Sequence, residues 1–394
     1  MIFDLNEYDD FRAEIAAWCA DRWPGGVATK FFADGPRGDD WAAEYRKTMK
    51  GLGDQGWLCG GWPVQYGGGG WRIMKQAVFN EAAAYHRIPG TGLSNGGTSI
   101  IGPTIMIYGT EEQKQRYLPG IAHGELRCGL GFSEPNAGSD LAGLQTRAVA
   151  DGDDFIINGA KIWNHSTDSD LMLLLTRTNA DVPKHKGITQ FLLPLKTTPG
   201  ITIQAIDDLT DNERWTLLTM EDVRLPRSAV LGEIDKGWYQ QKTSLDLERA
   251  QMGWIGESRR LIEELVDTAK TTFRNGKPLI KDTFIRDLLG DLAVQLEVAR
   301  WTTFRAAYLQ DMGLIPNAEA SMSKLHSSEV QQRIQRAGLV ILGPAAHQRS
   351  QQHYGPDNGR WDWEYWDGTG TTIAGGTSEV QRNIIATRGL GLPR

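Results

Sequence analysis

The chain has 394 residues, 40% hydrophobic and 23% charged, enough apolar material for buried cores and too much for a disordered polypeptide. Lys and Arg number 42 against 49 Asp and Glu, a net charge of −7 with no basic run, which argues against nucleic acid as a partner. No apolar run nears the ~20 residues of a membrane span, the acidic opening M-I-F-D-L-N-E-Y-D-D does not resemble a targeting leader, and Cys19, Cys59 and Cys128 form neither a disulfide framework nor a metal-ligand spacing, so a reduced, cytoplasmic setting without a metal site is expected.

Residues 1–122 read as a helical segment. Phe11, Ile15 and Trp18 recur at helical spacing, as do Met74, Ala77 and Val78. Two Gly-rich stretches, Gly60–Gly70 and Ile88–Gly97, interrupt it as loops. Over 123–236 the pattern changes to short β-rich runs. These are D-F-I-I-N-G-A-K-I-W, D-L-M-L-L-L-T-R, I-T-Q-F-L-L-P-L, G-I-T-I-Q-A-I and W-T-L-L-T-M-E-D-V. Turn residues separate them at roughly ten-residue intervals, as in an antiparallel barrel or sandwich. Over 237–394 helical periodicity returns, with Leu261, Ile262, Leu265 and Val266 on one face and Ile285, Leu288, Leu289, Leu292 and Leu296 on another. The expected architecture is α+β: an N-terminal helical domain, a middle β-domain and a C-terminal helical bundle. A β-domain set between helical segments leaves a crevice suited to a cofactor.

Five stretches in order carry a more specific signal. They are G-W-P-V-Q-Y-G-G (61–68), G-T-E-E-Q-K-Q-R-Y-L-P (109–119), G-F-S-E-P-N-A-G-S-D (131–140), N-G-A-K-I-W (158–163) and G-G-T-S-E-V-Q-R-N-I-I (375–385). Together they resemble the acyl-CoA dehydrogenase family over nearly the whole chain. The resemblance implies a C-terminal four-helix bundle, FAD as cofactor, an acyl-CoA substrate and α,β-dehydrogenation to the trans-2-enoyl-CoA, with flavin N5 accepting the β-hydride. It implies an electron-transfer flavoprotein or similar acceptor.

The resemblance assigns Leu130, Phe132, Ser133, Gly138 and Ser139 to a turn beside the flavin, Ser139 also reaching the CoA moiety. Small residues there let backbone N–H groups approach a polar ligand. A plain Ser/Asn/Gly loop is the alternative. Trp163 maps to a Trp packed on the isoalloxazine, against the alternative of a barrel-core Trp in a chain with 14 of them. The family then places a hydroxyl residue that bonds flavin N5, whereas this chain has Asn164-His165. A carboxamide or imidazole supplies a comparable hydrogen bond, and an imidazolium would raise the flavin potential. A solvent-facing loop histidine is the other reading. Gly376, Thr377 and Glu379 map to further FAD contacts.

Dehydrogenation needs a carboxylate base and a donor to the thioester oxygen, because the α-proton is a very weak acid. Many members carry the base as the Glu directly before G-T-S-E; in I-A-G-G-T-S-E that place falls to Gly375. Members resembling the isovaleryl- and long-chain enzymes carry it in L-D-L-E-R, present here as 245–249, so the resemblance makes Glu248 the base and Arg249 a substrate contact. Gly375 retains its N–H for the thioester oxygen. A solvated helix Glu is the alternative for Glu248, and Glu379 is the runner-up base.

Members complete one another's FAD site across a subunit interface with an Arg and two Gln. Thr272, Thr283 and Val340 stand there, with Arg274 or Arg286 as conceivable substitutes. Two assemblies follow: a homo-oligomer with different donors, or an α2β2 heterotetramer whose related subunit supplies them, as in relatives acting on steroid side-chain thioesters. In W-D-W-E-Y-W (361–366) the aromatic cluster is an acyl-pocket wall or subunit contact on one reading, and an ordinary core or interface patch on the other. Small residues at 374–376 leave room for a branched or ring-bearing acyl group. Two other functions remain open: a flavin oxidase, monooxygenase or reductase on the same scaffold, and a non-catalytic partner subunit.

Overall fold

The structure is a computed structural model and describes residues 3–24, 39–89, 96–210, 215–241, 252–348 and 359–393. The chain forms two compact units. One comprises Ala42–Gly70 and Leu93–Glu248; the other comprises Met1–Trp41, Trp71–Gly92 and Arg249–Arg394.

The first unit is built on a sheet. Its strands are β1 Cys128–Gly131, β2 Arg147–Asp151, β3 Asp154–Asn164, β4 Leu171–Arg177, β5 Ile188–Pro194, β6 Ile201–Ile206, β7 Trp215–Pro226 and β8 Val230–Leu231. The order is β6-β7-β3-β2-β4-β5-β8, with β1 also paired to β4. Most pairs are antiparallel, as the spacing predicts; β1 and β2 instead run parallel to β4. β4 and β5 are buried along almost their whole length, which is why they read as continuous apolar runs. β3 mixes buried and open positions. Phe155, Ile157, Met172, Leu174, Phe191, Leu193, Leu218 and Met220 make the core, each worth about 1.5–3 kcal/mol on burial. Helix Glu111–Ala122 begins with a capping box in which Thr110 and Gln113 bond each other's backbone N–H groups.

The second unit is a helical bundle. Its longer helices are Asp9–Arg22, Ile73–Tyr85, Met252–Thr271, Thr283–Asp311 and Asn317–Leu342, followed by the short Arg360–Asp367 and Ser378–Ile384. The predicted faces hold: Leu261, Leu265, Ile285, Leu289, Leu292 and Leu296 are buried in one cluster with Val78, Ile334 and Trp361. Helix Ile73–Tyr85 belongs to this bundle. Its buried Glu81 takes Arg259 Nη1 at 3.1 Å and Arg300 Nη2 at 3.2 Å. The 317–342 helix is unusual in turning Ser321, Ser323, Lys324, Ser327, Ser328, Gln331 and Gln335 inward. Among the described residues, no helix is long and apolar enough to cross a membrane.

Candidate functional site

The predicted site residues fall into two groups, one in each unit. In the sheet unit the group is organised by one buried ion pair. Glu134, in the turn after β1, faces Lys161 of β3 at 2.8 Å. The carboxylate also accepts from the backbone N–H groups of Gln145 at 2.6 Å and Thr146 at 2.8 Å. Lys161 Nζ donates a second bond to the Phe132 carbonyl at 3.1 Å. Burial pushes the Glu134 carboxyl up, but Lys161 and these donors outweigh it and hold it below the ordinary range. Burial likewise pulls the Lys161 ammonium down, to about 8, against the opposing pull of Glu134. Ile162 N–H donates to the Ser133 carbonyl at 2.9 Å, and Glu134 and Ala137 bond each other's backbones at 3.0 Å. Thus the G-F-S-E-P-N-A-G-S-D turn is fastened to the N-G-A-K-I-W strand through its own backbone. The turn presents open positions: Gly138 and Ser139 are exposed, and a Cβ added at Gly138 would meet nothing within 4 Å. Leu130, Phe132 and Ser133 are half-buried.

The far end of β3 carries the aromatic residues. Trp163 is 56% exposed, sits at φ +60° and lies in a register shift against β7 between Ile162 and Asn164. A non-glycine residue in that region costs about 1–2 kcal/mol, and here the bend turns an indole outward. Asn164 points the other way. It is buried, and its Oδ1 accepts from the Ser166 and Thr216 hydroxyls; among the described residues its Nδ2 is buried without a partner. His165 returns to the outer side, where its ring stacks on Trp215 at 4.6 Å and 27°. Trp163 meets the same Trp215 edge-on at 6.4 Å. Trp215 carries no motif, and only the β3–β7 register (Asn164 opposite Thr216) reveals it as part of the group.

In the bundle unit the group is the loop around Gly375 and Gly376, whose φ values are +67° and +92°. Thr377 caps the following helix, its hydroxyl accepting from Val380 N–H at 3.2 Å. Glu379 is exposed, and its own N–H and the Thr377 hydroxyl hold its carboxyl below the ordinary range. Lys324 Nζ donates to the Thr371 carbonyl at 3.1 Å and lies 5.4 Å from the Trp254 ring centre; burial pulls its ammonium down to about 8. Glu248 and Arg249 lie outside the described residues.

Of the positions read as interface substitutes, Thr283 and Val340 are exposed and Thr272 is half-buried. Arg274 donates to the Ile341 carbonyl at 2.8 Å. Of the two readings of W-D-W-E-Y-W, the core patch applies to Trp361. It is fully buried and pressed on Gly338, where a Cβ would lie 2.3 Å from the indole.

An outward indole and an open glycine turn suit an extended ligand with a flat aromatic part and polar edges. Comparison with known proteins identifies that ligand's class. The acyl-CoA dehydrogenase N-terminal domain matches residues 7–125, the middle domain 129–223 and the C-terminal domain 235–390. The acyl-CoA dehydrogenase FadE26 of Mycobacterium tuberculosis is 34% identical over 359 residues, covering 89% of this chain and 88% of the relative. The acyl-CoA dehydrogenase IpdE1 of Mycolicibacterium smegmatis is 32% identical over 99% of both chains. Among solved structures, the Tcur3481-Tcur3483 steroid ACAD superposes with a TM-score of 0.88 at 32% identity, covering all of both chains. The ChsE4-ChsE5 complex of Mycobacterium tuberculosis gives 0.86 at 32%, again over all of both chains.

Proposed function

Because the chain belongs to the acyl-CoA dehydrogenase family of FAD-dependent oxidoreductases, we propose that it converts an acyl-CoA thioester to the trans-2-enoyl-CoA with Glu248 as the base. FAD, when bound, supplies the acceptor for the β-hydride. The chain's own residues bind, orient and move the proton. Glu248 takes the α-proton, and the Gly375 N–H holds the thioester oxygen as negative charge develops there. The Leu130–Ser139 turn, Trp163 and the Gly376–Glu379 segment hold FAD; Ser139 and Arg249 contact the CoA moiety. His165, on the outer side of β3, is the flavin-tuning residue. Asn164, the other candidate beside the flavin, commits its carboxamide oxygen to Ser166 and Thr216 inside the fold.

The observation that carries this reading is Gly375. That position has no carboxylate, the residue is exposed and its N–H remains a donor, while L-D-L-E-R carries a carboxylate at Glu248. We further propose that the acyl group is bulky, branched or ring-bearing, and that a related subunit completes the FAD site in an α2β2 assembly passing electrons to an electron-transfer flavoprotein. Small residues at 374–376, and Thr272, Thr283 and Val340 in place of charged or amide donors, support this. So do the names of two similar structures, one a steroid enzyme and both two-component.

The test is co-purification with a related partner, then anaerobic mixing with a panel of acyl-CoAs while the flavin absorbance is followed. Bulky thioesters should bleach the flavin; bleaching by straight chains alone removes the substrate proposal. Glu248→Gln should keep FAD and lose bleaching, and a parental rate in that variant would show that the base is elsewhere.

A further inference from the structure

A Gly-Gly peptide is the least restrained dipeptide a chain can offer, and the proposed oxyanion donor stands on one. Here a single side chain restrains it. Gln381 is 1% exposed, and its Nε2 donates to the Gly375 carbonyl at 3.1 Å and to the Gly376 carbonyl at 3.4 Å. Two successive carbonyls can meet one donor because both glycines have positive φ. The contact is tight: a Cβ on Gly376 would lie 2.7 Å from Nε2. Upstream, the loop is held by Gln332 Nε2 on the Gly368 carbonyl at 3.2 Å and by Lys324 on Thr371. Downstream, Ser378 N–H donates to the Thr372 carbonyl at 3.0 Å. Among the described residues, the N–H groups of Gly375 and Gly376 donate to no acceptor, so the loop's carbonyls are used inward while its donors stay available.

We propose that Gln381 is the positioning residue of the reaction, its carboxamide fixing the Gly375–Gly376 peptide so that the Gly375 N–H meets the thioester oxygen. This rests on the function proposed above. The carboxamide holds the plane of the Gly375–Gly376 peptide through its carbonyl; the preceding peptide, which carries the Gly375 N–H, is related to that plane by the two backbone torsions of Gly375 alone, so the clamp fixes the reference from which the N–H is aimed. It supplies the rigidity that a Cβ at 375 would otherwise give. A misaligned donor loses most of its effect on a developing oxyanion.

Gln381→Leu and Gln381→Glu test it in the assembled holoenzyme. Gln381→Leu should retain FAD and lose about tenfold or more in kcat, with KM changed far less. Gln381→Glu keeps the size, but a carboxylate has no proton for the two carbonyls. Its activity should rise as pH falls through an ionisation that the parent lacks, which a loss of folding would not produce. Independently, in protein stripped of FAD, amide exchange across 370–378 should quicken several-fold in Gln381→Leu, because the Ile373, Ala374 and Ser378 bonds depend on the clamp. Parental kcat in Gln381→Leu, or a parental pH profile in Gln381→Glu, overturns the proposal. If no acyl-CoA bleaches the parent, the function reading fails instead, while the exchange arm still decides whether the clamp exists.

Discussion

Glu134→Gln is the sharpest perturbation of the sheet unit. The wild-type carboxylate accepts from three donors, Lys161 Nζ and the Gln145 and Thr146 amides, all within 2.8 Å. A carboxamide is nearly isosteric but has one accepting end. Its NH2 must confront at least one of these donors, and Lys161, whose side chain is wholly buried, is left with the Phe132 carbonyl alone. Removing one member of a buried ion pair costs about 3–5 kcal/mol, because the remaining charge is uncompensated. Urea denaturation followed by Trp fluorescence should therefore show a loss of about that size, with weakened FAD retention because the turn is fastened through the same residues. The decisive comparison is the double variant Glu134→Gln/Lys161→Met. With no charge left buried, it should be less destabilised than the sum of the two single variants by at least about 1 kcal/mol. Additive effects, or single variants within about 0.5 kcal/mol of the parent, would refute the argument that this pair organises the turn.

Two further outcomes are expected. In the bundle, burial, then the charges of Glu364 and Asp367, pushes the Glu257 carboxyl up to about 7, and burial does the same to Glu364. Both folded values lie above the ordinary 4.5, so the stability they contribute is complete below pH 4.5 and is lost as pH rises through about 7. Glu257→Gln, which can still accept from Gln331, should flatten the fall in unfolding free energy between pH 5 and 8 and gain about 1–3 kcal/mol at pH 8; an unchanged slope counts against it. His165→Phe keeps a ring against Trp215 but removes the imidazole nitrogens through which the proposed hydrogen bond to the flavin would be made. FAD content should hold while the two-electron midpoint potential of the bound flavin falls by roughly 30 mV; spectroelectrochemistry showing no shift would remove His165 as a tuning residue.

The elements most visible in the sequence are those whose burial is uniform or strictly periodic. All five predicted β-runs are strands, starting within one residue of their expected positions. β1, with two glycines in C-G-L-G, and β2, which buries only Ala148 of R-A-V-A-D, have too weak a pattern to be read as runs. The apolar face Met74, Ala77, Val78 announces burial without saying against what, so the membership of Trp71–Gly92 in the bundle unit was not legible. The same limit governs the site. Motifs supplied the turn, the Trp and the glycine loop, yet the groups that hold them in place are tertiary. Glu134 and Lys161 stand in separate motifs 27 residues apart, and Gln381 gains its role only because the helix brings it back under two carbonyls.

Asn164-His165 illustrates how register resolves what composition leaves open. As a pair of letters, either side chain could replace the missing hydroxyl. Neighbouring strand residues face opposite sides, so at the end of β3 the bend at Trp163 sends Asn164 inward, and His165 follows just past the strand. Asn164 is drawn inward, where two hydroxyls take its oxygen; His165 is placed outward on Trp215. The two side chains therefore stand in different surroundings and are not equivalent donors. One residue closes the β3–β7 end with a polar contact inside the fold. The other is left on the outer side with Trp163, the residue that the family resemblance assigns to the isoalloxazine. An imidazole held flat on an indole loses rotational freedom before any ligand arrives, which lowers the ordering cost of a directed hydrogen bond.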